Sequence, residues 1–210
     1  DEVRAEPAPR VAPVDFGGGA SLPRRMDVLA LLRDKLPESV GLVATTGHTG
    51  RELFTLQDHA GHLYCVGSMG GASAIGLGAA LNCEREIAVL DGDGAALMKL
   101  GNMATIGAEA PARYTHVLLD NGRHLSTGGQ ATVSAHVDFA SVAAACGYRF
   151  AARASGLAEA GAALDAALAV PGPRFVHVKV TAEEVAGLGR PTVAPREVAR
   201  RFRAHLTGAA

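Results

Sequence analysis

The chain has 210 residues, 48% of them hydrophobic and 20% charged, with no Trp and a formal net charge of −1. This length can bury one ordinary α/β core without disulfide or metal staples. The balanced charge excludes a generally basic nucleic-acid binder, and no apolar run approaches the roughly 18 residues that span a bilayer.

The first stretch, residues 1–23, carries Pro7, Pro9, Pro13, Pro23 and the triplet Gly17-Gly18-Gly19. It has no apolar period and reads as a flexible arm or linker, with the folded domain expected over residues 24–210. Met26, Leu29, Leu32 and Leu36 then follow a helical period that Pro37 stops. Residues 40–44 read as a short buried strand, 45–50 as a polar Gly-rich turn and 51–58 as a helix. Residues 63–66 form the next predicted strand, 67–71 a tight turn and 72–82 a helix of small residues. The run 86–91 is a strand that ends in Gly92-Asp93-Gly94, and 95–108 is predicted as one helix. Residues 115–120 are a strand and 121–137 a long polar stretch. Helices are expected at 139–146, 157–169 and 196–206, with a strand at 175–180.

Strands and helices alternate, and the strands are apolar on both faces. That pattern predicts an α/β fold: one doubly wound, mostly parallel sheet with helices on both faces. No charged-apolar-small leader opens the chain, and Cys65, Cys83 and Cys146 form no CxxC pair. The expectation is therefore a cytoplasmic enzyme domain with no nucleic-acid or membrane partner.

In such folds ligands gather at the carboxyl ends of the strands. Four polar or Gly-rich turns fall there, at 45–50, 67–71, 92–94 and 121–130. Glycines at 92 and 94 let a ligand approach the backbone, and free N–H groups at a helix start suit a phosphate. An Asp beside a phosphate repels it unless a cation lies between them, so Asp93 with a phosphate implies a hard cation such as Mg²⁺. Asp93 also fits a simple helix N-cap. Asn121 adds a neutral oxygen on the next strand end, although Asn-Gly is also an ordinary turn. There is no Gly-x-Gly-x-x-Gly after the first strand and no P-loop. His48, His59, His62, His116, His124, His136, His177 and His205 show no zinc spacing.

Gly92-Asp93-Gly94, followed after 25 residues by Asp120-Asn121, resembles the Mg²⁺–thiamine diphosphate motif of thiamine-dependent decarboxylases. Asp120 stands where the usual form has the first of two Asn. Thr45-Thr46-Gly47-His48-Thr49, Gly67-Ser68-Met69-Gly70 and Ser126-Thr127-Gly128-Gly129-Gln130 resemble the family too, in the expected order. Within it the chain is most similar to the phosphonopyruvate decarboxylases, and less so to the sulfopyruvate decarboxylases.

The resemblance implies thiamine diphosphate and Mg²⁺ as cofactors, in the diphosphate-binding domain of the thiamine fold. It implies that Asp93, the Asn121 side chain and the Arg123 carbonyl ligate the metal. Gly92, Gly94 and Ala95 would meet the diphosphate, together with Thr46, Gly47, His48 and Thr49. Gly67 and Ser68 would flank the pyrimidine, and Met69 would be the wedge that bends the cofactor. Arg51, His124, Ser126 and Thr127 are candidates for binding an anionic 2-oxo acid. No catalytic residue is expected in this chain: the activating glutamate of the family lies on a pyrimidine-binding domain for which these residues leave no room. The resemblance therefore implies an alpha subunit carrying that domain, in a hetero-oligomer with two or more copies of each chain.

Overall fold

The computed structural model describes residues 10–208. The nine residues before them belong to the expected arm and lie outside the described residues. The elements, in chain order, are strand β1 (Val14–Asp15), helix α1 (Arg25–Lys35), β2 (Gly41–Ala44), α2 (His48–Leu56), β3 (His62–Tyr64), α3 (Ala72–Leu81), β4 (Ile87–Gly92), α4 (Asp93–Met98), α5 (Asn102–Glu109) and β5 (Tyr114–Asp120). A short hairpin of β6 (Arg123–His124) and β7 (Gln130–Ala131) follows. The chain ends through α6 (Phe139–Ala145), β8 (Phe150–Ala154), α7 (Leu157–Leu168), β9 (Arg174–Lys179) and α8 (Pro195–Thr207).

Seven strands form one sheet in the order β1-β8-β9-β5-β4-β2-β3, and every neighbouring pair is parallel. Period-2 alternation sends side chains to two cores. Leu42, Ala44, Leu90, Val117, Leu119, Val176 and Val178 pack on one face with residues of α1 and α7. Val43, Ile87, Val89, Leu118 and Phe175 pack on the other with residues of α3, α5 and α6. The doubly wound parallel sheet read from the sequence is the observed one.

Several local expectations give way. The single helix expected over 95–108 is two, α4 and α5, because the chain leaves helical geometry at Lys99 and restarts after Gly101. Helix α2 starts at His48, so the first predicted turn runs straight into a helix. The polar stretch after β5 holds an antiparallel hairpin, with Arg123 opposite Ala131. Strand β8 and edge strand β1 were not read from the sequence. The described part of the expected arm is seated on the sheet edge, where Val14 pairs with Ala152 and Asp15 with Arg153.

From β2 the chain steps outward to the edge strand β3, then returns to β4 on the other side of β2. The strand order therefore reverses between β2 and β4. In open α/β sheets such a switch point opens a crevice at the strands' carboxyl ends.

Candidate functional site

A cleft opens at that switch point. Its walls come from the β2–α2 turn (Thr45, Thr46, His48, Thr49), from Met69, from Gly92, Asp93, Gly94 and Ala95, and from Leu119, Asn121 and the start of the hairpin (Arg123, His124, Leu125, Ser126), with Arg25 of α1 beside them. Three turns predicted far apart in the sequence thus meet because β2, β4 and β5 lie side by side. A wider cavity of about 450 Å³ adjoins it, sharing Thr45, Thr46, Met69 and Ser126 and adding Gly47, Arg51, Gly67, Thr127 and Arg190. Ser68 borders neither space; its carbonyl accepts the Gly71 N–H at 2.8 Å and closes the turn.

The turns have backbones only certain residues tolerate. Gly47 has φ +104, and a Cβ there would lie 3.1 Å from Ser126 Oγ, so the hairpin region folds directly against the β2–α2 turn. Around Met69 the backbone is left-handed at Gly67, Ser68 and Gly70, with φ of +70, +46 and +85. Such strain in a non-Gly residue is held by its surroundings and clusters at ligand sites. At Gly94 a Cβ would meet the His124 ring at 2.4 Å, so the missing side chain lets His124 sit over the start of α4.

Asp93 is not the N-cap of α4. That position belongs to Gly92, and Asp93 is the first helical residue. Its carboxylate accepts a hydrogen bond from the Thr132 hydroxyl. Burial pushes its pKa up and the nearby Asp120 charge pushes the same way, while the Thr132 hydroxyl and the Asn121 backbone amide oppose the rise. A buried carboxyl with raised pKa gains most from a cation placed against it. Asn121 Oδ1 accepts the Arg123 N–H at 3.0 Å. Among the described residues no three His, Cys, Asp or Glu side chains gather as a metal site, so a cation at Asp93 would depend on amide and carbonyl oxygens, which suit Mg²⁺.

The positive side of the cleft was only partly legible. Arg25 is 7% exposed and Glu52 1%, and they form a bidentate pair at 2.6 and 3.1 Å. Glu52 of α2 is thus committed to an arginine on the cleft wall. Nothing in the apolar period of α1 marked Arg25. Arg190, between β9 and α8, carried no motif either. Arg51 and Arg190 make no ion pair among the described residues. Burial, with the Arg25 and Arg51 charges, pushes the His48 pKa down. The Thr45 hydroxyl and His48 Nδ1 are buried without a hydrogen-bond partner among the described residues. Buried polar atoms are nearly always paired, and two that border one cleft fit an incoming oxygen-rich ligand.

Fold and site together define an α/β domain with a polar, glycine-lined cleft at the switch point of a parallel sheet and a buried carboxylate in its wall. The thiamine pyrophosphate enzyme C-terminal TPP-binding domain matches residues 45–178, and the chain belongs to that family. It is 48% identical over 213 residues to a phosphonopyruvate decarboxylase of Streptomyces viridochromogenes, covering 99% of this chain and 54% of the relative. It is 40% identical over 153 residues to the sulfopyruvate decarboxylase subunit beta of Methanothermobacter thermautotrophicus, covering 73% of this chain and 77% of that subunit. The fold matches a crystal structure assigned to a thiamin diphosphate-dependent enzyme of Mycobacterium smegmatis, with a TM-score of 0.62 at 24% identity over 77% of this chain and 32% of that one. The chain spans about half the length of the phosphonopyruvate decarboxylases it matches, 54% and 53%. No helix of the described residues is long and apolar enough to cross a membrane.

Proposed function

We propose that this chain is the diphosphate- and metal-binding half of a thiamine diphosphate-dependent 2-oxo acid decarboxylase that converts phosphonopyruvate to phosphonoacetaldehyde and CO₂. The observation that carries this reading is the meeting of the Asp93 turn, the Asn121 turn and Met69 around one cleft. A scaffold subunit has no need of that convergence.

Bound thiamine diphosphate supplies the electron sink that lets CO₂ leave a 2-oxo acid. The chain's own residues hold it. Asp93, the Asn121 side chain and the Arg123 carbonyl ligate Mg²⁺, and the N–H groups of Gly94 and Ala95 take diphosphate oxygens, as do Thr46, His48 and Thr49. The Gly67 carbonyl would accept from the cofactor's pyrimidine amino group, and Met69, adaptable and apolar, would pack against the cofactor as its wedge. Arg51, His124, Ser126 and Thr127 face the substrate's distal anion.

The activating glutamate comes from a pyrimidine-binding domain, which we assign to an alpha subunit in a hetero-oligomer. Three relatives at 40%, 40% and 36% identity are named beta subunits, and Glu52 is already paired with Arg25. A cytoplasmic location goes with this reading. Those beta-subunit relatives also favour a second substrate, sulfopyruvate, whose sulfonate presents a similar distal anion.

The test supplies the chain and a pyrimidine-binding subunit with Mg²⁺ and thiamine diphosphate and assays aldehyde from phosphonopyruvate, sulfopyruvate and pyruvate. Turnover of phosphonopyruvate above the others supports the reading. Turnover by this chain alone contradicts the shared site, and preference for pyruvate contradicts the anionic substrate.

A further inference from the structure

Three buried aspartates lie at or just past the carboxyl ends of β4 and β5: Asp91, Asp93 and Asp120. Among the described residues their side chains do not form one metal-holding group. Their hydrogen bonds divide them. Asp91 Oδ1 accepts the Gly92 N–H at 3.0 Å, and its Oδ2 lies 3.3 Å from His116 Nε2. His116 Nδ1 in turn lies 3.3 Å from the Tyr148 hydroxyl. Asp120 Oδ1 accepts the Gly122 N–H at 3.0 Å and the Ser134 hydroxyl at 3.0 Å. Its Oδ2 takes His177 Nε2 at 2.9 Å and the Lys179 ammonium. Both oxygens of both carboxylates are engaged by protein groups.

The two arrangements are one device built twice. Asp91 sits opposite Leu118 of the neighbouring strand β5, and its histidine, His116, lies two residues before that partner. Asp120 sits opposite Lys179 of the neighbouring strand β9, and His177 again lies two residues before it. Each aspartate uses one oxygen to hold a backbone N–H just past itself, that of Gly92 at the end of β4 or of Gly122 after the end of β5, and the other to meet a buried histidine one strand over. The residues so held are Gly92, next to Asp93, and Gly122, next to Asn121.

We infer that Asp91 and Asp120 are positioning residues for the metal site, not ligands: each fixes the turn that presents its neighbour, Asp93 or Asn121, to the cation. The inference rests on the reading of Asp93 and Asn121 as Mg²⁺ ligands. It accounts for both acidic residues that the cofactor roles leave unused, and for why His116 and His177 are buried.

The test titrates Mg²⁺ against thiamine diphosphate binding by calorimetry, on the chain assembled with its pyrimidine-binding domain. Groups that orient a metal's ligands typically cost 10–100-fold in metal affinity when removed, so Asp91→Leu and Asp120→Leu are each expected to weaken the apparent Mg²⁺ affinity by about that factor. Asp91→Asn should recover most of the loss, because an amide oxygen still accepts from Gly92 while its nitrogen can donate to a neutral His116. Asp120→Leu should cost much less once Asn121→Ala has removed the residue through which it acts, a non-additivity that general loosening of the fold would not produce. Where Asp120→Leu does not fold, Asp120→Ala replaces it and should weaken Mg²⁺ binding with the same dependence on Asn121, while Asp120→Asn keeps an oxygen that accepts the Gly122 N–H and should lose little. Equal losses with and without Asn121, or undiminished affinity in the Asp→Leu variants of a wild type that binds, would overturn the positioning role alone. A wild type that binds cofactor without regard to Mg²⁺ would overturn the ligand assignment and this inference with it.

Discussion

Glu52→Gln leaves the Arg25 guanidinium buried beside a neutral amide. The two side chains are 7% and 1% exposed and meet in a bidentate pair at 2.6 and 3.1 Å. In that geometry the guanidinium is almost wholly withdrawn from water, at the wall of the cleft. Removing one member of a buried ion pair costs about 3–5 kcal/mol, because the remaining charge stays desolvated. For chains of this size each kcal/mol moves the unfolding midpoint by roughly 2–4 °C, so the drop should be roughly 6–20 °C. Thermal unfolding followed by circular dichroism, with urea titration as a check, reads it directly. The double replacement Arg25→Met/Glu52→Leu removes both charges and should recover most of the loss. A Glu52→Gln penalty below about 1 kcal/mol, the range of exposed pairs, would refute the buried pairing.

Three further outcomes are expected. Burial, with the His59 charge, lowers the His62 pKa to about 4, while an unfolded His titrates near 6.5. The unfolded chain then binds the extra proton first, so His62 makes stability fall as pH drops from about 6.5 to about 4. His62→Gln should flatten the midpoint-against-pH curve across that window; an unchanged slope would contradict the burial of a neutral imidazole. Gly107→Ala places a Cβ 1.7 Å from the Cys146 carbonyl oxygen where α5 meets the end of α6, so it should cost about 3 kcal/mol, the upper end of overpacking penalties; a neutral urea midpoint would count against so close an approach. Met69→Ala should slow exchange of the cofactor's C2 proton in the assembled enzyme more than it weakens cofactor binding, and an unaltered exchange rate would remove the wedge role.

The parts of the fold that were legible are those where local and global signals agree. Residues 86–91 and 115–120 are built on the apolar runs Ile87–Leu90 and Val117–Leu119, closed by Gly or Asn, and they fall on β4 and β5 to within a residue. β8 escaped because Phe150-Ala151-Ala152-Arg153-Ala154 has neither β-branched residues nor alternation; its place next to β9 makes it a strand. β1 is two residues long and depends on pairing with β8. At the site, the turns announced themselves through glycine, since left-handed backbone at 47, 67 and 70 leaves few other choices. Arg25, Thr132 and Arg190 left no such mark, because a single polar side chain brought in from another element has no local period. Asp120 was legible only as a variation in the motif, with no role of its own. Burial opposes its ionisation and is outweighed by His177 and Lys179, which hold its pKa well below the usual carboxylate range. Only β9, 59 residues on in the chain, reveals that engagement.

In the proposed function Asp93 is the carboxylate that recruits a cation for the diphosphate. Calorimetric binding of thiamine diphosphate with and without Mg²⁺, compared between wild type and Asp93→Ala in the assembled enzyme, tests it most directly. Wild type should bind with a strong Mg²⁺ dependence that Asp93→Ala abolishes while its unfolding midpoint stays close to wild type. Undiminished Mg²⁺-dependent binding in Asp93→Ala would contradict the account.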